Sequence, residues 1–179
     1  MKSTHIKLPF ESSTSADVRL AHTIARNFHN GQTRKADGLP YINHLREVLG
    51  LLQNVANVTD DRILIAGLLH DSLEDTDLKK SEIQQTFGVA VLALIEQVTD
   101  DKSKPLVERR EAVITHLEHV SDAVKLIKLA DITSNANALP NWDEARLVSY
   151  LTWLDAVALK CSTASKPLYA KYLSVRAQY

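Results

Sequence analysis

The chain has 179 residues, 45% hydrophobic and 24% charged, with a formal net charge of −1. That length and balance suit a soluble globular domain able to bury a real core, and exclude a broadly basic nucleic-acid binder. A single cysteine, Cys161, excludes an internal disulfide framework and a cysteine-rich zinc module, and fits a reducing compartment. No apolar run approaches the roughly 20 residues of a membrane helix. The lysines near Met1 precede no apolar signal stretch. A cytoplasmic protein is expected, with neither membrane nor nucleic acid as partner. Only 5 Gly and 5 Pro occur, too few turn residues for a many-stranded β architecture.

Residues 1–15 are polar, Ser/Thr-rich and without period, which predicts a flexible arm. A helix is predicted from Ala16 to about Asn30, with Val18, Ala21, Ile24, Ala25 and Phe28 on one face. A loop from Gln32 to Tyr41 carries two basic residues, a Gly and a Pro. A second helix fits Ile42 to Gln53. Thr59-Asp60-Asp61 reads as an N-cap with an acidic first turn. The helix after it, through Ile63, Ala66, Leu69 and Leu73, is apolar on most sides and so central and buried.

Ser81–Thr86 and Gly88–Val98 read as shorter helices, and Pro105 opens another through about His119. Asp122 to Leu139 is helical until Pro140 stops it. Trp142 to Cys161 is amphipathic, and Ser165 to Val175 gives a last helix. No segment alternates with period two, and no internal repeat or linker divides the chain. The expectation is an all-α protein of about eight to ten helices, with residues 16–179 as a single domain.

The stretch Leu68-Leu69-His70-Asp71-Ser72-Leu73-Glu74-Asp75 concentrates the chemistry. On one continuous helix His70 would lie over Glu74 and Asp71 over Asp75. Three acids would then crowd a helix C-terminus, where the dipole disfavours each by a few tenths of a kcal/mol or more, on the order of 0.3–1. Burying them uncompensated costs far more, and a divalent cation is the simplest compensation. The plainer alternative is a solvated helix end with a surface histidine. Donors of the right type recur, however: His44 opens the second helix, and Asp131 follows the apolar stretch Val124–Ala130. Two imidazoles and two carboxylates suit Mn2+, Fe2+ or Zn2+ rather than an all-oxygen calcium site. Taken alone, His44 reads as a capping or surface histidine and Asp131 as a helix-surface acid. Spacing does not by itself bring them together.

His44, His70-Asp71 and Asp131 resemble the H…HD…D pattern of HD-domain metal-dependent phosphohydrolases. His29–Lys35, Gly38–His44, Leu68–Thr76, Val98–Lys102 and Lys128–Asp131 resemble, in order, the hydrolase domain of the RelA/SpoT family. The similarity runs from about residue 16 to residue 160, without room for that family's synthetase and regulatory domains. The chain therefore looks like a small alarmone hydrolase of the RelA/SpoT family, similar to the metazoan SpoT homologue, with an HD-domain helical bundle.

That resemblance implies Mn2+-dependent removal of the 3′-diphosphate from ppGpp or pppGpp, giving GDP or GTP and pyrophosphate. It implies one Mn2+ held by His44, His70, Asp71 and Asp131, with Glu74 and Asp75 positioning and activating the attacking water. It places Arg34 and Lys35 against the nucleotide, Arg34 by stacking on the base and Lys35 by pairing with charge. Asn135 would contact the ribose, and Arg146 and Tyr150 the phosphates and nucleotide. Two positions depart from the family: Ser134 stands where an aromatic residue or His is common, and Asn137 where Arg is usual. Lys102 fits a phosphate contact or a solvated lysine. His29 reads as a packing or hydrogen-bonding residue, His116 and His119 as surface, and Trp142 and Trp153 as packing residues. The competing readings are an HD-type phosphatase for another nucleotide, such as NADPH or a deoxynucleotide, and a catalytically silent alarmone-binding module.

Overall fold

The computed structural model describes residues 14–179, so most of the arm expected at residues 1–15 lies outside the described residues. The helices are α1 (Ala16–Phe28), α2 (Ile42–Gly50), α3 (Asp61–Leu69), α4 (Ser72–Asp75) and α5 (Lys80–Phe87). After them come α6 (Val89–Val98), α7 (Leu106–His116), α8 (Asp122–Asn137), α9 (Glu144–Cys161) and α10 (Lys166–Arg176). Among the described residues there is no strand, only an isolated antiparallel bridge between Thr33 and Pro40.

Side-chain caps set several starts. Ser15, Ser121, Asp143 and Ser165 accept from the backbone N–H three residues on, at Val18, Val124, Arg146 and Leu168. Asp60 rather than Thr59 caps α3, accepting from the Arg62 N–H. The caps at Asp143 and Ser165 start α9 and α10 slightly later than their apolar periodicity does.

The buried centre is built by α3 and α8. α3 packs on α1, α2, α6 and α8, while α8 packs on α2, α3, α6, α9 and α10. Leu64 to Leu69 are all buried, as is the run from Ile127 to Ser134. Each fully buried Leu or Ile contributes about 1.5–3 kcal/mol against exposure. Gly67 sits at a close approach: a Cβ there would lie 2.6 Å from Leu52 Cδ1, so the buried Leu52 side chain would have to shift.

Two local features differ from the sequence expectation. The helix expected over Ile42 to Gln53 changes at Gly50 into a π-helical turn, Leu51–Val55. It ends at Asn57, whose φ of +54° is the left-handed region that Asn tolerates. More important, the helix expected to run through Leu73 stops at Leu69. The His70 ring nitrogen Nδ1 donates to the Gly67 carbonyl at 2.9 Å. That carbonyl is the acceptor a continuing helix would give to the Asp71 N–H. The Asp71 carbonyl instead restarts the chain, accepting from Glu74 and Asp75 at 3.1 and 2.9 Å. Glu74 and Asp75 therefore lie in the first turn of the short α4, and the C-terminal dipole argument does not apply to them.

Candidate active site

The break after α3 turns His70 and Asp71 toward His44 on α2 and Asp131 on α8. His44 Nε2 lies 3.4 Å from His70 Nε2, 3.4 Å from Asp131 Oδ1 and 3.6 Å from Asp71 Oδ2. His70 Nε2 lies 3.0 Å from Asp71 Oδ2 and 3.5 Å from Asp131 Oδ1. Both histidines and Asp131 are buried. The Gly67 carbonyl can only accept, so His70 carries a proton on Nδ1, and Nε2 is the nitrogen that can offer a lone pair to the centre once a cation displaces its proton. One ligand atom each from His44, His70 and Asp131 lies within 4.8 Å of the others, with Asp71 Oδ2 against both histidines, a donor set that fits a divalent cation.

The titration behaviour has the same cause. Burial opposes charge on His70, yet Asp71 and Asp131 outweigh it and hold the imidazole well above its ordinary range. Burial likewise opposes charge on Asp131, but Lys128 and the two histidines keep its carboxyl well below the usual carboxylate range. Asp71 is held low, against its burial, by His70. The paired acids attract positive charge to this point.

Outer contacts fix the acids. The Tyr41 hydroxyl donates to Asp71 Oδ2. Lys128 Nζ donates to Asp131 Oδ2 at 3.3 Å, and Asn135 Nδ2 to Asp131 Oδ1 at 2.7 Å. Glu74 Oε2 accepts from the Asp100 N–H at 3.2 Å, and Lys102 Nζ lies 3.3 Å from Glu74 Oε1. Lys102 also donates to the Glu74 carbonyl and to Asp75. Burial, then the charge of Asp71, raises the Glu74 carboxyl above its usual range. His29 does hydrogen-bond: Nδ1 meets Gln32 Oε1 at 2.7 Å, and Gln32 Nε2 donates to the Asp75 carbonyl at 2.7 Å.

The residues expected to contact a nucleotide are held in different ways. Arg34 is 7% exposed and already engaged, with Nη1 donating to Glu47 Oε2 at 3.0 Å and Nη2 to the Ser134 carbonyl at 3.1 Å. Lys35 is exposed beside it. Asn135 faces a metal-site acid. Tyr150 packs edge-on against Trp142 and tilted against Trp153, and Asp131 helps burial to raise its phenol. Arg146 is exposed and stacks on Trp142, its Cζ 4.4 Å from the ring centre. His116 Nε2 meets the Gln97 carbonyl at 3.0 Å.

Sequence reasoning did not single out Tyr41, Glu47, Asp100 or Lys128 for their contacts around the centre. Lys128 had a signal, its three-residue spacing from Asp131 on a helix. Glu47 had none, because its hydroxyl partner Ser134 comes from α8, far along the chain.

The chain matches the HD domain family over residues 21–151. It is 40% identical over 147 residues to the guanosine-3′,5′-bis(diphosphate) 3′-pyrophosphohydrolases MESH1 of Mus musculus and of Homo sapiens, covering 79% of this chain and 82% of each relative. It superposes with a TM-score of 0.87 on a solved metazoan ortholog of SpoT described as hydrolyzing ppGpp. That match has 33% identity and covers 92% of this chain and 96% of the other.

Proposed function

From its place in the HD domain family, to which the chain belongs, we propose that this protein is a metal-dependent guanosine-3′,5′-bis(diphosphate) 3′-pyrophosphohydrolase. Water adds to the phosphorus attached to the ribose 3′-oxygen, and that ester bond breaks. ppGpp then gives GDP and pyrophosphate, and pppGpp gives GTP and pyrophosphate. The observation that carries the reading is the convergence of His44 and His70 Nε2 with the Asp71 and Asp131 carboxylates, followed by Glu74 and Asp75 on the next turn.

His44, His70, Asp71 and Asp131 hold the divalent ion, which we take to be Mn2+. When bound, it supplies Lewis-acid activation of water and of the phosphoryl oxygen. Glu74 accepts the proton of the attacking water. Its half-buried position beside Asp71 raises its carboxyl and makes it a better base than a solvated glutamate. Asp75 orients the same water. Lys102 keeps both acids in place and lends positive charge at the phosphate side. Exposed Lys35 pairs with nucleotide phosphate, while Tyr150 and Arg146 bound the nucleotide from α9. Arg34 and Asn135 act beside the metal centre, because Asn135 also holds Asp131 and Arg34 also holds Glu47 and the Ser134 carbonyl behind His44.

The test is to incubate the Mn2+-loaded protein separately with ppGpp, NADPH and dGTP and to identify the products. GDP and pyrophosphate from ppGpp are expected. Unchanged ppGpp together with consumption of NADPH or dGTP would overturn the substrate assignment.

A further inference from the structure

Behind His44, on the side away from the carboxylates, four polar groups from three parts of the chain join in series. Ser134 Oγ donates to Glu47 Oε2 at 2.6 Å, and His44 Nδ1 lies 2.9 Å from the same hydroxyl. Arg34 grips both ends of this pair, through Glu47 Oε2 and through the Ser134 carbonyl. Arg34, His44 and Ser134 are all buried, and Ser134 is 1% exposed.

The direction of the protons follows from the inventory of donors. A carboxylate only accepts, and a serine hydroxyl has a single proton. With that proton on the Glu47 side, Ser134 Oγ can only accept at His44. His44 must then carry its own proton on Nδ1, which leaves Nε2 as the nitrogen that can offer a lone pair to the centre. Without Glu47, the hydroxyl is released to donate to Nδ1. The opposite tautomer, with a proton on Nε2 aimed at the metal position, becomes available.

We infer that Glu47 and Ser134 are positioning residues that set the tautomer and orientation of His44, and that Arg34 ties this relay to the basic loop. The inference rests on reading His44 as a metal ligand. Ser134 is one of the two positions at which the chain departs from the pattern of its family. The departure is therefore not a gap in the site. It is the hydroxyl through which a glutamate three residues after His44 acts on that histidine.

The experiment measures Mn2+ affinity by electron paramagnetic resonance of the free ion, for the wild type, Glu47→Ala, Glu47→Gln, Ser134→Ala and His44→Ala. Glu47→Ala and Ser134→Ala should each bind Mn2+ about 10–100-fold more weakly, the usual effect of removing a group that orients a ligand. Glu47→Gln should keep near-wild-type affinity, because its amide oxygen still accepts from Ser134 and Arg34. That rescue separates positioning from loss of charge. In the metal-free protein, ring 15N shifts should report a protonated His44 Nδ1 in the wild type and transfer of that proton toward Nε2 in Glu47→Ala. Unchanged affinity in both alanine variants, with His44→Ala losing the ion, would overturn the relay and leave the ligand assignment standing. Retention of Mn2+ by His44→Ala would overturn the ligand assignment itself. Should Ser134→Ala fail to fold, Glu47→Ala, whose side chain is 26% exposed, decides the matter.

Discussion

Replacing Glu74 by Gln separates proton transfer from coordination. The two carboxylate oxygens are used differently: Oε2 accepts from the Asp100 N–H at 3.2 Å, and Oε1 faces Lys102 at 3.3 Å. A glutamine carbonyl takes over the first contact. The second is lost, but Lys102 is half-exposed and keeps the Glu74 carbonyl and Asp75, so this loss is about 1 kcal/mol or less. What disappears is the ability to take a proton from water. Turnover should fall by roughly 10²–10⁴, about 2.7–5.5 kcal/mol of barrier, with Mn2+ content unchanged. Stability should move the other way. Burial and Asp71 raise the Glu74 carboxyl in the fold, so its ionised form is disfavoured there. The wild type then loses stability, relative to the variant, as pH rises through the ordinary carboxylate range and up to the raised value. The variant should match the wild type in acid and gain on it near neutrality. Steady-state kinetics, metal analysis and denaturant unfolding at several pH values check all three. Near-normal kcat with full metal content would refute Glu74 as the base and pass the role to Asp75.

The remaining predictions concern the metal, the basic loop and the buried lysine. His44→Ala or Asp131→Ala should strip the metal and abolish hydrolysis, and full metal stoichiometry in both variants would refute the ligand set. Lys35→Ala should raise KM by the equivalent of about 1.5–3 kcal/mol with an unchanged Tm. Arg34→Ala should also lower Tm, because Glu47 and the Ser134 carbonyl lose their donor; equal Tm for both variants would refute the structural half of its role. Lys128→Met leaves the buried Asp131 carboxylate without its ammonium, and metal-free protein should lose about 3–5 kcal/mol. A change below about 1 kcal/mol in chelator-treated thermal melts would show that Asp131 does not depend on Lys128.

The helical class was legible from the apolar period, while the side-chain caps at Ser15, Ser121, Asp143 and Ser165 set the starts to the residue. The four converging residues were legible through motif order. The break between α3 and α4 was not, because apolar periodicity continues through Leu73, while at the break the His70 ring donates to the Gly67 carbonyl. A propensity argument weighs local backbone preference and does not see such a side-chain donor competing for a backbone acceptor. The contacts of Arg34 were not legible for a related reason: the resemblance places it against a nucleotide, but Glu47 and Ser134, which it also holds, lie where only the packing of α2 on α8 can place them.

This difference separates two kinds of information in the site. Residues that ligate an ion are constrained by the ion's own chemistry: few side chains offer nitrogen or oxygen lone pairs, and so they recur as a motif. The groups behind them must only hold a proton or a charge on the correct side, and several side chains can do that. Asp71 uses a tyrosine hydroxyl, Asp131 an ammonium and an amide, and His44 a serine backed by a glutamate. Each solution depends on what neighbouring helices present at that point. Two chains with the same H…HD…D motif can therefore differ in metal affinity by an order of magnitude or more through these outer groups alone. In this chain the place to look for such tuning is Ser134, which touches the proposed ligand His44 from behind, and Glu47, which holds that hydroxyl, and both leave the motif unchanged.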